Sequence, residues 1–223
     1  MNMQFKNRTE AGQLLASRLI KYANRSDVIV LGLPRGGVPV AYEIAKSLHV
    51  PLDVCLVRKL GVPAHKELAM GAIGQGNAMK LNPEIIKSWD VSQPAFEQVL
   101  ATEKQELQRR YHLYRGRDLP LNVEDQIVIL VDDGVATGST LFAAIEVMRS
   151  HHPKAIVVAV PVAPPSTYQQ LEYQVSQVIC LVQPKLLKAI SFWYEDFSQT
   201  SDVEVQELLS KSQQELSTLS HLN

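Results

Sequence analysis

One segment, residues 127–140, limits most strongly what this chain can fold into. Ile127–Val131 is a run of five apolar, mostly β-branched residues, which is typical of a strand buried on both faces of a parallel sheet. Asp132 and Asp133 follow, and a loop rich in Gly, Thr and Ser then leads into the apolar residues 141–145. This order of strand, acids, loop and helix predicts a ligand site.

The residue types in this segment indicate which ligand would fit. In an open α/β sheet, ligands lie at the carboxyl ends of the strands, so Asp132 and Asp133 are expected at the rim of a crevice as hydrogen-bond acceptors. The free N–H groups of the following helix, with the hydroxyls of Thr137, Ser139 and Thr140, favour a phosphate. A ribose 5-phosphate group has both chemistries. The alternative is that these polar residues simply cap the helix.

Two other phosphate-binding motifs do not fit the residues. A P-loop requires a lysine before its final Ser or Thr. Neither Gly32–Gly37 nor Gly134–Ser139 has that lysine, which argues against a nucleoside triphosphatase. The dinucleotide spacing G-x-G-x-x-G is also absent from both glycine-containing loops.

The block Val131–Thr140 resembles the phosphoribosyl pyrophosphate (PRPP) signature of the type I phosphoribosyltransferases. The resemblance implies that Asp132 and Asp133 hold the ribose hydroxyls. It implies that the 5-phosphate lies on the loop formed by Gly134, Val135, Ala136, Thr137, Gly138, Ser139 and Thr140. The implied reaction is a Mg²⁺-dependent transfer of ribose 5-phosphate from PRPP to a nitrogenous, nucleobase-like acceptor, with release of pyrophosphate. Because Mg²⁺ keeps waters and ligand oxygens, no direct protein ligand for the metal is assigned.

A second strand–loop–helix unit precedes this block. Asp27–Leu33 reads as a buried strand, and Pro34-Arg35-Gly36-Gly37 interrupts it before a helical pattern begins. Arg35 presents a planar fork suited to phosphate oxygens, and glycines allow a close approach of the backbone. The resemblance implies that Arg35, Gly36 and Gly37 contact the pyrophosphate, and that this loop contains a strained non-proline peptide bond of the kind that can be cis. The alternative is a glycine turn with a solvated arginine.

The region 58–120 is interpreted as a lid insertion. Pro51–Val57 predicts a strand whose carboxyl end is followed by Arg58 and Lys59, and the resemblance implies that these two cations bind pyrophosphate and, with Arg35, act in catalysis. Residues 68–74 and 78–81 predict a hairpin around Gln75-Gly76-Asn77. Whether the charged loop residues His65, Lys66 and Glu67 belong to the site is left open. A polar helix is predicted over 92–117, and the arginines near its end are interpreted as helix-dipole partners outside the site (Arg109, Arg110, Arg115, Arg117).

The whole chain predicts an α/β fold with a doubly wound, Rossmann-like parallel sheet, because buried strands alternate with helical patterns. A single domain is expected over 1–223, with the lid at 58–120 and a C-terminal hood at about 184–212. An aromatic hood residue could stack on an acceptor base, although ordinary packing is the equal alternative. The candidates are Phe192, Trp193 and Tyr194.

Composition excludes several classes of partner. A net charge of -1 provides no general attraction to nucleic acid or anionic membranes, and no apolar run is long enough to span a bilayer. A cytoplasmic location is therefore expected. Cys55 and Cys180 lie in apolar runs and are assigned no chemistry. A homodimer is suggested by family habit alone.

The acceptor is left open by one departure from the family pattern. Enzymes acting on 6-oxopurines carry an aspartate where this chain has Ala136, so hypoxanthine and guanine are disfavoured acceptors. The alternative function is a PRPP- or nucleotide-sensing regulator with the same fold. The intact Arg35-Gly36-Gly37 loop favours an enzyme of nucleotide metabolism.

Overall fold

The computed structural model describes residues 4–74, 78–116 and 121–220. Its strands are β1 (Val28–Gly32), β2 (Leu52–Val54), β3 (Val57–Val62), β4 (His65–Gly74), β5 (Met79–Leu81), β6 (Ile127–Val131), β7 (Ala155–Val162) and β8 (Gln177–Val182). Its α-helices are α1 (Arg8–Arg18), α2 (Gly37–Leu48), α3 (Pro83–Ser88), α4 (Gln93–Arg115), α5 (Ser139–Arg149), α6 (Pro165–Glu172) and α7 (Asp202–Ser220). Short 3₁₀ helices cover Ile20–Tyr22 and Ile190–Trp193.

The main sheet has five parallel strands in the order β2-β1-β6-β7-β8. This is the predicted doubly wound α/β fold. The chain leaves β1 toward one edge of the sheet through β2 and returns on the other side of β1 as β6, so the strand order reverses between these two neighbours. A ligand crevice lies outside the carboxyl ends of the strands at such a switch point. The loops that follow β1 and β6 are the two predicted ligand loops.

Both faces of the sheet are covered, which explains the unbroken apolar runs in its strands. Ile129 packs with α1 and α2 through Leu15 and Ile44 on one face. The next residue of β6, Leu130, packs with α5 through Leu141 on the other face. All five residues of β6 are buried, so polar residues start where the strand ends.

A second, antiparallel sheet of β3, β4 and β5 forms part of the predicted insertion. The pairing of β4 with β5 confirms the predicted hairpin, whose turn at 75–77 lies outside the described residues. The strand predicted at 51–57 is present as β2, but its predicted end was wrong, because β2 ends at Val54 and a separate strand, β3, begins at Val57. Arg58 and Lys59 therefore lie inside β3 and do not follow a strand of the main sheet. The long helix predicted over 92–117 is α4, and Arg117 lies outside the described residues.

The segment before α1 pairs with residues 193–195. Phe5 N–H donates to the carbonyl of Trp193 at 2.8 Å, and Glu195 N–H donates to the carbonyl of Phe5 at 2.8 Å. Side chains cap two helices: Asn7 Oδ1 accepts from Glu10 N at 3.0 Å, and Ser201 Oγ accepts from Glu204 N at 3.1 Å. No helix in the described ranges has the length and apolarity needed to cross a membrane.

Candidate functional site

The loops after β1 and β6 touch at the switch point. Leu33 N–H donates to the carbonyl of Val131 at 2.8 Å. A methyl group added at Gly37 would lie 2.6 Å from the Val131 carbonyl oxygen and 2.9 Å from Asp132 Cα. One added at Gly36 would lie 1.9 Å from Asp133 Oδ2. The absence of a side chain at both positions therefore lets the arginine loop lie directly against the two acids.

Arg35 lies in this loop, next to the predicted unusual peptide bond. The Pro34–Arg35 peptide is cis. Arg35 Nη1 lies 3.8 Å from Asp202 Oδ1 at the start of α7, and Tyr114 of α4 donates its hydroxyl to the same oxygen at 2.5 Å. Because the Arg35 side chain is 38% exposed, its guanidinium group remains accessible to a ligand in the crevice.

The start of α5 has the features of an anion site. Gly138 is its N-cap residue, has a φ of 76°, and supplies no side chain to the first turn. The polar residues of the loop do not replace that cap: Thr137 Oγ1 and Ser139 Oγ lie 3.2 Å from each other, and Thr137, Ser139 and Thr140 are exposed. The helix-capping alternative is therefore not what the structure shows. Unpaired N–H groups at a helix start bind anions readily.

The remaining loop residues hold its shape. Val135 is buried, and its N–H donates to the carbonyl of Val162 at 2.8 Å. Thr167 Oγ1 donates to the carbonyl of Ala136 at 2.7 Å, and Ala136 itself is exposed. Gly134 lies so close to Ile190 that an added methyl group would come within 2.5 Å of it. The loop is therefore anchored to β7, α6 and the C-terminal segment while its tip stays open.

Asp132 and Asp133 follow the carboxyl end of β6 and are both partly buried residues. Asp132 Oδ1 accepts from Asp133 N–H at 2.9 Å. Burial, and then the negative charge of Asp133, raise the pKa of Asp132 well above its usual range, against the opposing effect of that hydrogen bond and of Arg8. Burial also raises the pKa of Asp133, and Arg8 opposes this. A ligand whose hydroxyls donate hydrogen bonds to these two groups would favour their ionised form.

Two contacts of Asp133 were not predicted from the sequence. Arg8 of α1 donates to Asp133 Oδ2 through Nε at 2.8 Å and through Nη2 at 2.7 Å. Tyr194 donates its hydroxyl to the Asp133 carbonyl at 2.6 Å. In the sequence, Arg8 appears inside a helix-capping motif and lies 125 residues before Asp133, so no local pattern connects the two.

The predicted hood aromatics have three different environments. Phe192 is 66% exposed and Trp193 is partly buried. Tyr194 is 3% exposed, and its ring packs between Phe5 and Phe197 at centroid distances of 5.4 and 5.0 Å. Of the two alternatives for Tyr194, the structure favours ordinary packing, because its ring is covered and its hydroxyl donates to the Asp133 carbonyl.

The cations of the insertion line a separate part of the site. A cavity of about 570 Å³ lies between β3, α4, Pro34 and Thr140. Arg58 and Lys59 line it but are paired, with Arg58 Nε 2.6 Å from Glu103 Oε2 and Lys59 Nζ donating to the Glu67 carbonyl at 3.0 Å. Its other charged lining residues are Lys66, Glu67, Glu103 and Arg110.

Arg110 is a cavity residue that the sequence reading excluded. Its Nε bonds Glu106 Oε1 at 2.7 Å within α4, as helix-surface arginines do, while its side chain also lines the cavity. Arg115, from the same set, pairs with Asp53 at 2.8 Å and joins the end of α4 to β2. His65 does not line the cavity and packs on Trp89 at a ring distance of 4.5 Å.

The cysteines carry no sign of reactivity. Burial raises the pKa of Cys55 to about 12 and that of Cys180 to about 11. Both thiols are therefore protonated at neutral pH, and neither is a thiolate nucleophile.

Comparison with known proteins agrees with this geometry. The phosphoribosyl transferase domain family matches residues 4–195. The chain is 44% identical over 210 residues to "Putative phosphoribosyl transferase Rv0571c" of Mycobacterium tuberculosis strain H37Rv and to its counterpart MT0597 in strain CDC 1551. The match covers 93% of this chain and 47% of each relative, so the chain spans about half the length of these relatives.

A solved structure extends the similarity to the fold. The protein TT1426 from Thermus thermophilus superimposes with a TM-score of 0.84 at 38% identity, over 94% of this chain and 99% of that one. The family match also includes both loops that meet at the switch point. This chain therefore belongs to the phosphoribosyl transferase family, a family of transferases.

Proposed function

We propose that this chain transfers ribose 5-phosphate from Mg²⁺-bound PRPP to a nitrogenous, nucleobase-like acceptor and releases pyrophosphate. One observation supports this most directly. An uncapped helix start, an acid pair and an arginine loop meet at the switch point of the sheet. A phosphorylated sugar needs all three groups within one crevice.

The ribose 5-phosphate half of the ligand would bind at β6. We assign its phosphate to the loop Gly134–Thr140, where Thr137, Ser139 and Thr140 are exposed beside the start of α5. The ribose hydroxyls would donate to Asp132 and Asp133, which stand at the opposite side of the same short loop. A sugar held at both ends leaves its anomeric carbon in a fixed position, which lowers the entropic part of the barrier.

The pyrophosphate half would lie toward Arg35, Gly36 and Gly37 and the cavity lined by Arg58 and Lys59. Bond breaking places positive charge on the sugar and negative charge on the departing pyrophosphate. Cations held beforehand near that position stabilise the transition state more than the ground state. Arg58 and Lys59 are engaged with Glu103 and Glu67, so we propose that PRPP replaces these carboxylates as their partner.

Magnesium suits the ligand proposed for this crevice. Its preferred ligands are oxygens, which the phosphates of PRPP and bound waters would provide. When bound, the metal would neutralise charge on the leaving pyrophosphate. We assign it no direct protein ligand and propose that it arrives with PRPP.

The acceptor would enter between the crevice and the hood, residues 184–212. Phe192 and Trp193 remain the hood aromatics that could face a base. Ala136 is exposed at the tip of the phosphate loop and places no carboxylate there, which disfavours 6-oxopurines. We further propose that the chain works in the cytoplasm in nucleotide metabolism, that it forms a homodimer, and that residues 58–120 close over PRPP as a lid.

The direct test is a panel of nucleobases and small amines incubated with the protein, PRPP and Mg²⁺. Pyrophosphate release with at least one acceptor is expected, and Asp132→Asn serves as the inactive control. Calorimetric titration with PRPP and with ribose 5-phosphate measures binding separately. Tight PRPP binding without turnover of any acceptor would favour the sensing regulator instead, and no PRPP binding would contradict both functions.

Arg35→Ala is expected to affect PRPP far more than ribose 5-phosphate. Arg35 is assigned to the pyrophosphate, so its loss should lower the rate of pyrophosphate release by about 100-fold, as for other preorganised charge-stabilising groups. Ribose 5-phosphate affinity should change by less than about twofold, since that ligand lacks the pyrophosphate. Arg18→Ala, on the exposed face of α1, is the matched control. Equal losses for both ligands would contradict the assignment.

A further inference from the structure

We propose that Arg8 is a positioning residue for the transfer reaction, fixing one oxygen of Asp133 so that the other faces the ribose hydroxyls. This inference rests on the proposed function. It adds the N-terminal helix to a site otherwise built from the loops after β1 and β6. The argument depends on how Arg8 is held, on which oxygen of Asp133 it leaves open, and on the charge that it balances.

All three guanidinium nitrogens of Arg8 are engaged. Nε and Nη2 both donate to Asp133 Oδ2, at 2.8 and 2.7 Å, and Nη1 donates to the carbonyl of Ser198 at 2.7 Å. The guanidinium carbon lies 4.0 Å from the centre of the Phe197 ring. The Arg8 side chain is 12% exposed and that of Asp133 is 15% exposed. A planar group fixed at every nitrogen and on one face has little freedom to move.

Asp133 Oδ2 is equally confined on its other side. The position of an added methyl group on Gly36 lies 1.9 Å from Oδ2 and 3.3 Å from Arg8 Nε. This oxygen therefore lies between the arginine loop and Arg8. The hydrogen bonds and the ion pair from Arg8 go to Oδ2, and the backbone N–H of Asp133 also acts on its own carboxylate. Oδ1 is thus the oxygen that Arg8 does not engage.

Charge gives Arg8 a second effect on the same carboxylate. The groups facing Asp133 are Asp132 at the end of β6, Arg8 from α1, and the Tyr194 hydroxyl on its carbonyl. Burial raises the pKa of the Tyr194 hydroxyl, so it stays neutral, and Asp132 repels a charge on Asp133. Arg8 is the cation that opposes this repulsion. It favours the ionised carboxylate, which accepts hydrogen bonds from hydroxyls on the sugar.

Two other roles for Arg8 lead to different results. A purely structural contact would join α1 to the C-terminal segment and leave ligand binding unchanged in a folded variant. If Arg8 instead competed with the sugar for Asp133, the removal of Arg8 would tighten sugar binding. A positioning residue instead makes binding weaker when it is removed, and changes the pH at which binding appears.

The experiment compares Arg8→Gln, Arg8→Lys and the exposed control Arg18→Gln. Ribose 5-phosphate and inorganic phosphate are titrated into each variant by calorimetry between about pH 5.5 and about pH 8.5. Circular dichroism melts confirm that each variant is folded at the titration temperature. Inorganic phosphate probes the loop before α5, which Arg8 does not contact, and therefore reports whether the rest of the crevice is intact.

We expect Arg8→Gln to weaken ribose 5-phosphate binding by about 10- to 100-fold at neutral pH while phosphate binding is kept. In Arg8→Gln, the increase of ribose 5-phosphate affinity with pH should occur at a higher pH than in the wild type. Without Arg8, the carboxyl group of Asp133 holds its proton more tightly. Arg8→Lys should recover part of both effects, and Arg18→Gln should match the wild type.

Unchanged binding and pH dependence in Arg8→Gln would overturn the inference, and so would tighter binding. Loss of phosphate binding together with ribose 5-phosphate binding would also overturn it, since that pattern indicates a structural role. A wild type that binds no ribose 5-phosphate at all would instead remove the proposed function, and the inference with it.

Discussion

Asp132→Asn is expected to abolish ribose 5-phosphate binding and at the same time to raise the melting temperature at neutral pH. Asp132 is held beside a second carboxylate in a partly buried position that penalises its ionised form. Replacing it with a neutral amide removes this penalty but also removes an ionised acceptor for the sugar. Residues that a protein keeps for function at the expense of stability behave in this way. A gain of about 1–2 kcal/mol, or roughly 2–8 °C, would be typical.

The pH dependence of this gain has a defined sign. Because the pKa of Asp132 is raised in the folded state, the folded state binds the proton more tightly than the unfolded state does. The stability of the wild type therefore falls as the pH rises from about 4, the unfolded value, through the folded-state pKa. The advantage of Asp132→Asn should be present at pH 7.5 and should disappear near about pH 4, where both proteins are neutral at this position.

Thermal melts of the wild type and Asp132→Asn at the two pH values check this expectation. Asp133→Asn is the matched control, because it changes the neighbouring carboxylate in the same way but weakens the partner of Arg8. That variant should lose stability, by about 3 kcal/mol for a charged group left underpaired. A lower melting temperature for Asp132→Asn at pH 7.5 would show that Asp132 stabilises the fold.

Gly37→Ala is expected to be the most damaging single methyl addition at the site. Its new carbon would lie 2.6 Å from the Val131 carbonyl oxygen and 2.9 Å from Asp132 Cα. Both neighbours are backbone atoms at the carboxyl end of β6, so relief requires the two loops to move apart. Overpacking of this kind costs about 1–3 kcal/mol or more. PRPP binding should be lost along with stability, because the loops that separate are those that form the crevice.

Gly36→Ala provides the comparison that isolates the packing effect. Its added carbon meets the Asp133 carboxylate at 1.9 Å and does not meet the backbone of β6. Rotation of this carboxylate weakens its pair with Arg8, whereas Gly37→Ala separates the two loops and so disturbs that pair as well as the backbone contact. Gly36→Ala should therefore lose less stability than Gly37→Ala while still losing ribose binding. Urea unfolding measures the first quantity and calorimetry with ribose 5-phosphate the second. The reverse order of stabilities would contradict this account of the contact between the loops.

Much of the fold could be predicted because its signals are local. A fully apolar run such as Ile127–Val131 reports a strand with two covered faces, and Gly36 and Gly37 mark the close turn that follows β1. The boundary between β2 and β3 could not be predicted in this way. Cys55 and Leu56 continue the apolar run across a gap where the chain leaves the main sheet, so hydrophobicity does not show that Arg58 and Lys59 belong to another sheet.

A candidate site can be predicted from sequence where one segment carries the chemistry, and not where distant segments meet. The residues Asp132–Thr140 form one continuous stretch. Arg8, Tyr194 and Arg110 reach the site from α1, the C-terminal segment and α4, and their sequence surroundings indicate a helix cap, an aromatic cluster and a helix-dipole partner. Each local interpretation is physically sound. What it omits is the tertiary contact, because only the folded chain brings these side chains to the crevice.

The pairing of Phe5 with the segment around Trp193–Glu195 has a consequence for how such proteins can vary. Lys6 and Asp196 extend this pairing through a hydrogen bond from Asp196 N–H to the Lys6 carbonyl at 2.9 Å. Residues 5–6 and 193–196 thus pack together on the side of the site where Tyr194 contacts Asp133. Substitutions in these two stretches should occur together among relatives, since a change in one stretch alters the surface against which the other packs.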